Sequence, residues 1–148
     1  MVAYKTIVVG TDGSSTAKLA VDRAGAVAAD CDAQLLIVCA YEPESHPDPE
    51  AKRALGADAW MIVGSAPAEG VVRAAADRAR AAGAQQVETM TIKGAPVDVL
   101  DQAVVNARAD LLVVGNVGLN TLTGRILGSV PQSLARRSGV DVLIVHTS

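Results

Sequence analysis

Residues 7–13 read Ile7-Val8-Val9-Gly10-Thr11-Asp12-Gly13, and residues 112–118 read Leu112-Val113-Val114-Gly115-Asn116-Val117-Gly118. Each is a short aliphatic run that stops at a glycine and repeats the glycine three residues later. An apolar run without polar alternation fits a strand covered on both faces. A glycine directly after it fits a tight turn at the strand's carboxyl end. Two such junctions in one chain point to an α/β fold.

Around them, the runs Thr6–Val9, Leu35–Ala40, Val87–Ile92, Leu111–Val114 and Val142–Val145 predict five strands. Val87-Glu88-Thr89-Met90-Thr91-Ile92 alternates, which predicts a sheet edge with one wet face. Between the runs, apolar residues recur at helical spacing. Ala17, Ala20, Val21, Ala24 and Ala28 follow a cap at Ser14 or Ser15. Ala68, Val71, Val72, Ala75, Ala79 and Ala82 precede a stop at Gly83, with Arg73, Asp77 and Arg80 on the solvated side. Val97, Leu100, Ala103, Val104 and Ala107 follow Pro96, and a fourth helix runs from Ser129 to about Ser138. This order predicts a parallel five-stranded sheet with right-handed crossovers and helices on both faces. Residues 41–65 are the irregular part, broken by Pro43, Pro47 and Pro49, with an amphipathic turn or two expected over Ala51–Ile62 around Trp60.

Composition agrees with one such domain spanning 1–148. Half of the 148 residues are apolar, with 27 alanines and 21 valines but only three aromatics, Tyr4, Tyr41 and Trp60. Small residues on helices let them lie close against valine-rich strands. A net charge of −3 and the shortage of aromatics exclude a general nucleic-acid binder. No apolar run approaches the ~20 residues of a membrane span, and the amino-terminal stretch lacks the features of a signal peptide. Cys31 and Cys39 lack the spacing of a redox or zinc site and read as small hydrophobes in a reducing compartment, so the cytoplasm is the expected location.

In a doubly wound sheet, ligands bind outside the carboxyl ends of the strands where the winding reverses. If strands one and four are neighbours there, both glycine turns face one crevice; they would equally serve as plain strand-to-helix turns. After Gly118 come nine residues, Leu119 to Leu127, and then Gly128-Ser129 at a helix start. Ser129 suits the N-cap, and the free amides of that first turn favour an anion, although Pro131 removes one of them. The loop contains Thr121 and Arg125 but no acidic residue, so its field suits phosphate.

The spacing Gly115-x2-Gly118-x9-Gly128-Ser129 resembles the nucleotide-binding signature of the universal stress protein family, in its ATP-binding branch. Thr11-Asp12-Gly13-Ser14, Gly94-Ala95-Pro96 and the Val142–His146 strand match the same pattern, so the resemblance spans about 1–147 and points to a small, mycobacterial-type single-domain member. It implies a three-layer α/β/α domain of the adenine nucleotide alpha hydrolase-like kind, with a sheet ordered 3-2-1-4-5. It also implies a homodimer joined through the last strand, and ATP, AMP or cyclic AMP in the crevice, with magnesium accompanying ATP.

By the resemblance, Gly10, Thr11 and Asp12 lie beside the adenine and ribose, and backbone from Val38 to Ala40 reads the adenine edge. Val114, Gly115, Asn116, Val117 and Gly118 wrap the ribose and first phosphate, while Arg125, Gly128, Ser129 and Val130 hold outer phosphates. Asp12 could instead be a helix-capping or turn carboxylate. Many members carry a basic residue where Val117 stands, and its loss favours a nucleotide with a single phosphate.

Enzyme signatures are missing. There is no Gly-x-x-x-x-Gly-Lys-Ser/Thr loop and no Gly-x-Ser-x-Gly elbow. Gly10 stands where a strand-one aspartyl nucleophile of a haloacid dehalogenase-type phosphatase would be, and Ile92-Lys93-Gly94 stands where a receiver aspartate would be. His46 and His146 belong to no triad or metal set. The expectation is therefore a regulatory nucleotide-binding stress protein with little or no hydrolysis. The alternatives are a slow metal-dependent ATPase using Asp12, and a ligand-free dimeric scaffold.

Overall fold

A computed structural model describes residues 3–42, 62–63, 65–116 and 129–146. The five aliphatic runs form strands β1 (Thr6–Gly10), β2 (Gln34–Glu42), β4 (Gln86–Lys93), β5 (Leu111–Gly115) and β6 (Asp141–Val145), each end within two residues of its expected place. All pair in parallel, in the spatial order β4-β2-β1-β5-β6, so the expected 3-2-1-4-5 arrangement holds. A short sixth strand, β3 (Ile62–Val63), pairs with Tyr41 and Glu42 at the end of β2. Ile62 thus belongs to a strand and not to an amphipathic turn; the remainder of 51–61 and Trp60 lie outside the described residues.

Four helices cover the sheet: α1 (Ser15–Cys31), α2 (Ser65–Ala81), α3 (Pro96–Ala107) and α4 (Ser129–Arg137). Ser14 is the N-cap of α1, its Oγ accepting from Ala17 N–H at 3.1 Å. Pro96 opens α3 behind an uncapped Ala95. Two helices end on residues that are not glycine, Asp32 (φ 53°) and Arg108 (φ 54°), left-handed residues whose N–H groups donate to the last helical carbonyls.

The period of two along each strand sorts the core into two layers. Ile7, Val9, Leu35, Ile37, Leu111 and Val113 face α1 and α2. Val8, Leu36, Val38, Leu112 and Val114 face α3 and α4, meeting Val99, Leu100, Val104 and Leu134. The alanine stripe of α1 is buried throughout, and on α2 Ala68, Val72, Ala75, Ala76 and Ala79 are buried while Val71 is only half covered. Strand β4 is an edge as expected, but neither of its faces is sealed, with Val87 packing toward α2 and Ile92 toward α3.

The small residues have a steric purpose where α1 meets α2. A Cβ on Gly25 would sit 2.8 Å from the Ala79 carbonyl oxygen and 3.0 Å from its Cα, so the two backbones touch there. Gly70 on α2 has open space at the same position. Opposite outcomes are expected from one substitution. Gly25→Ala forces backbones apart and should lower stability by about 1–3 kcal/mol, while Gly70→Ala removes helical glycine and should raise it by roughly 0.5–1 kcal/mol. Urea unfolding followed by circular dichroism checks both; equal shifts would show that the close approach carries no strain.

Candidate functional site

Strands β1 and β5 lie side by side, Ile7 opposite Leu111 and Val9 opposite Val113, and the winding reverses between them. Their carboxyl ends, Gly10 and Gly115, are therefore neighbours, as the paired glycine turns require. From Gly10 the chain must leave the sheet and start α1 within four residues, which it does through two side-chain-braced turns. Thr11 is buried; its N–H donates to the Val38 carbonyl at 3.0 Å and its Oγ1 accepts from Gly13 N–H at 3.2 Å. Asp12 Oδ1 accepts from Ser14 N–H at 2.9 Å. Gly13 adopts φ +82°, a conformation that a side chain would strain.

This arrangement uses only half of the Asp12 carboxylate. Its Oδ2 is buried and has no hydrogen-bond partner. A carboxylate oxygen withdrawn from water without a donor is destabilising by about 1–3 kcal/mol or more, so it marks a place where a donor is wanted. The same environment acts on Cys39. Burial first, and then the Asp12 charge, push its thiol up from 9.0 to about 12. Cys39 is thus an inert buried group beside the crevice, while Cys31 is half-buried.

On the β1 side of β2, the ladder ends with Gly10 opposite Val38 and resumes with Tyr41 opposite Ile62. Cys39 and Ala40 lie in the gap, on the edge of β2 that β1 no longer covers. The Val38 carbonyl accepts from Thr11 N–H and the Ala40 carbonyl from the Cys39 thiol at 3.6 Å, so both carbonyls at the two expected adenine-reading positions have partners within the fold. Both side chains are buried in the α3/α4 layer.

The glycines separate by what would meet a Cβ. At Gly10 it would lie 2.7 Å from Leu100 Cδ1, so a side chain there would require Leu100 to shift. Among the described residues, a Cβ at Gly115 would meet the Thr16 carbonyl, its oxygen at 3.6 Å, an ordinary contact. Val114 is core, facing α3 and α4. Asn116 is buried, its N–H donating to the Val145 carbonyl and its Nδ2 lying 3.2 Å from His146 Nδ1. Gly115 pairs with Val145, so 116 and 146 continue the two strands side by side. Sequence reading assigned His146 no specific task; the register of β5 on β6, invisible in one chain's spacing, gives it this one.

Ser129 is the first residue of α4, one position past the N-cap expected of it, and Val130 is buried against the α3 layer, which leaves only its backbone for a ligand. Val117, Gly118, Arg125 and Gly128 lie outside the described residues. The structure thus brings Gly10, Thr11, Asp12, Val38, Ala40, Val114, Gly115 and Asn116 to the ends of three adjacent strands. Among the described residues no group of three His, Cys, Asp or Glu side chains could hold a metal ion.

A sequence model of the universal stress protein family matches residues 3–146. The chain is 51% identical over 148 residues to a universal stress protein of Mycobacterium tuberculosis, each covering the whole of the other. A crystal structure of a universal stress protein in complex with cAMP is similar with a TM-score of 0.76 and 50% identity, covering 99% of both chains. A universal stress protein of Archaeoglobus fulgidus in complex with dAMP shares the fold at a TM-score of 0.69 and 18% identity, covering 95% of this chain and 97% of that one.

The position of Cys39 predicts a pH dependence. Its folded pKa lies above the unfolded one, so the folded thiol stays protonated where the unfolded one ionises. The contribution is fully present below about pH 9 and is lost as pH rises toward 12. Denaturant titrations between pH 8 and 11 should show stability falling more steeply for the parent chain than for Cys39→Ala. Identical slopes would place the thiol in water.

Proposed function

The chain belongs to the universal stress protein family, and on that premise we propose that it is a single-domain adenine-nucleotide-binding regulator. It senses or sequesters a nucleotide and hydrolyses it little or not at all. The observation that carries this reading is the buried, partnerless Oδ2 of Asp12 at the β1/β5 reversal. A ribose hydroxyl is a neutral donor of the right size, and a charge-assisted bond to it satisfies the oxygen. The carboxylate also excludes an anion from that spot, so the phosphate end points the other way, toward Gly115 and the start of α4. There the free amides of the first helical turn favour negative charge.

The adenine would then rest across the β2 edge at Ala40, read by backbone and aliphatic contact. Val117, which supplies no cation, and Arg125, which does, suit one phosphate better than three. A 50%-identical relative crystallised with cAMP supports cyclic AMP as the ligand to test first, followed by AMP and ATP. A magnesium ion accompanying ATP would take its ligands from the phosphates and from water.

We place the protein in the cytoplasm, with neither a membrane nor nucleic acid among its partners; no helix among the described residues is long and apolar enough to cross a membrane. It acts as a homodimer through β6, whose Val142, Leu143 and Ile144 are only half-buried at the sheet's other edge.

Calorimetry with cyclic AMP, AMP and ATP tests the ligand. Cyclic AMP should bind more tightly than ATP, and Asp12→Asn, which keeps an acceptor for Ser14 but turns an N–H toward the ligand, should weaken binding by roughly tenfold or more. No binding of any of the three would favour a ligand-free scaffold. Multiple turnovers of ATP with magnesium, abolished by Asp12→Ala, would make the protein a slow ATPase instead.

A further inference from the structure

Strand β4 is an edge of eight residues that pairs only with β2 among the described residues. The Gly94 N–H donates to the Tyr41 carbonyl, which fixes the phase of the ladder. Met90 and Ile92 therefore turn their backbone groups toward β2, while Val87, Thr89, Thr91 and Lys93 turn theirs outward. The register with β2 runs unbroken from Gln34 opposite Gln86 to Tyr41 opposite Lys93. An edge without proline or bulge is open to another strand.

Each face of this edge carries its own groove. Between β4 and α2 lies one of about 370 Å³, lined among others by Arg73, Arg80, Thr89 and Thr91. Between β4 and α3 lies one of about 280 Å³, with Leu36, Met90, Ile92 and Ala107 in its wall. One groove is thus basic and hydroxylated, the other mainly aliphatic, and Met90 is 43% exposed.

We propose that β4 takes up an extended segment of a partner protein as an additional strand, and that this segment alternates acidic and apolar residues. Side chains of an added strand alternate between the two faces, so one set enters the basic groove and the other lies on Met90 and Ile92. Arg73 has no ion-pair partner among the described residues, and Arg80 holds only a long, exposed contact of 3.8 Å with Asp77. They lie seven residues apart, about 10 Å along α2, within reach of acidic side chains that recur about every 6.8 Å along a strand. Glu69, also on this groove, confines the favourable charge to the stretch from Arg73 to Arg80. A second copy of this chain is the wrong occupant. Antiparallel pairing of two β4 edges keeps each face on its own side, so it would set the two arginine pairs against each other.

The test uses the full chain and a fluorescein-labelled peptide of four Glu-Val repeats, followed by anisotropy. This peptide should bind; a peptide of four Lys-Val repeats should not. The double substitution Arg73→Glu and Arg80→Glu, at exposed positions, should weaken binding by roughly tenfold or more. Amide exchange at Thr89 and Thr91 should slow when the peptide is bound. Equal affinity for a peptide of four glutamates followed by four valines would reduce the effect to net charge and overturn strand addition. So would unchanged binding by the charge-reversed chain, or protection of the same amides by self-association without peptide.

Discussion

Strand β1 has no free side. Ile7, Val8 and Val9 are fully buried, helices cover both faces, and β2 and β5 take both backbone edges. The shape of the crevice follows from how such a strand ends. With both edges occupied, the chain can leave only along its own direction, and it must reverse at once to lay α1 back on the sheet. The turn from Gly10 to Ser14 is tight for that reason, and its N–H groups are satisfied by the nearest side chains, Thr11 and Asp12. Bracing the turn uses one carboxylate oxygen and buries the other. The crevice and its most demanding polar atom are thus consequences of the central strand's burial.

The same economy governs the helices. A core with few aromatics gets its density by bringing backbones together, as at Gly25 against Ala79, and not by filling space with large side chains. That leaves little tolerance for enlarging α1 or α2, but it leaves the outer rim of α2 unconstrained. Arg73 and Arg80 sit on this rim next to an uncovered strand. Solvation alone accounts for isolated charges on a helix; a basic groove opposite an aliphatic one, across an open β edge, has the geometry of a binding surface.

The strands were readable from one sequence because their residues are apolar on both faces, and burial on both faces leaves no alternation to misread. The helices were readable from alanine spacing, and the order 3-2-1-4-5 came with the family resemblance. What escaped reading depends on contacts between distant segments. Nothing local marks Ile62–Val63 as a strand, because a two-residue ladder against Tyr41 and Glu42 exists only once β1 has ended. Nothing near Val38 shows that Thr11 takes its carbonyl, or near His146 that Asn116 stands beside it. At the site, residue identities were legible and their division of labour was not.

That division is clearest among the glycines, which look alike in sequence. A Cβ at Gly10 would displace the end of the Leu100 side chain, and one at Gly13 would be strained by its positive φ. Gly115 meets neither condition among the described residues: a Cβ there would make a normal contact with the carbonyl of Thr16. Packing against the described residues therefore leaves room for a Cβ at the end of β5. On the proposed reading, a nucleotide between Gly115 and the Asp12 carboxylate would use the space that the missing side chain leaves. Gly115 and Asp12 lie at or just past the ends of two adjacent strands, which is where the proposed nucleotide would set its ribose and first phosphate.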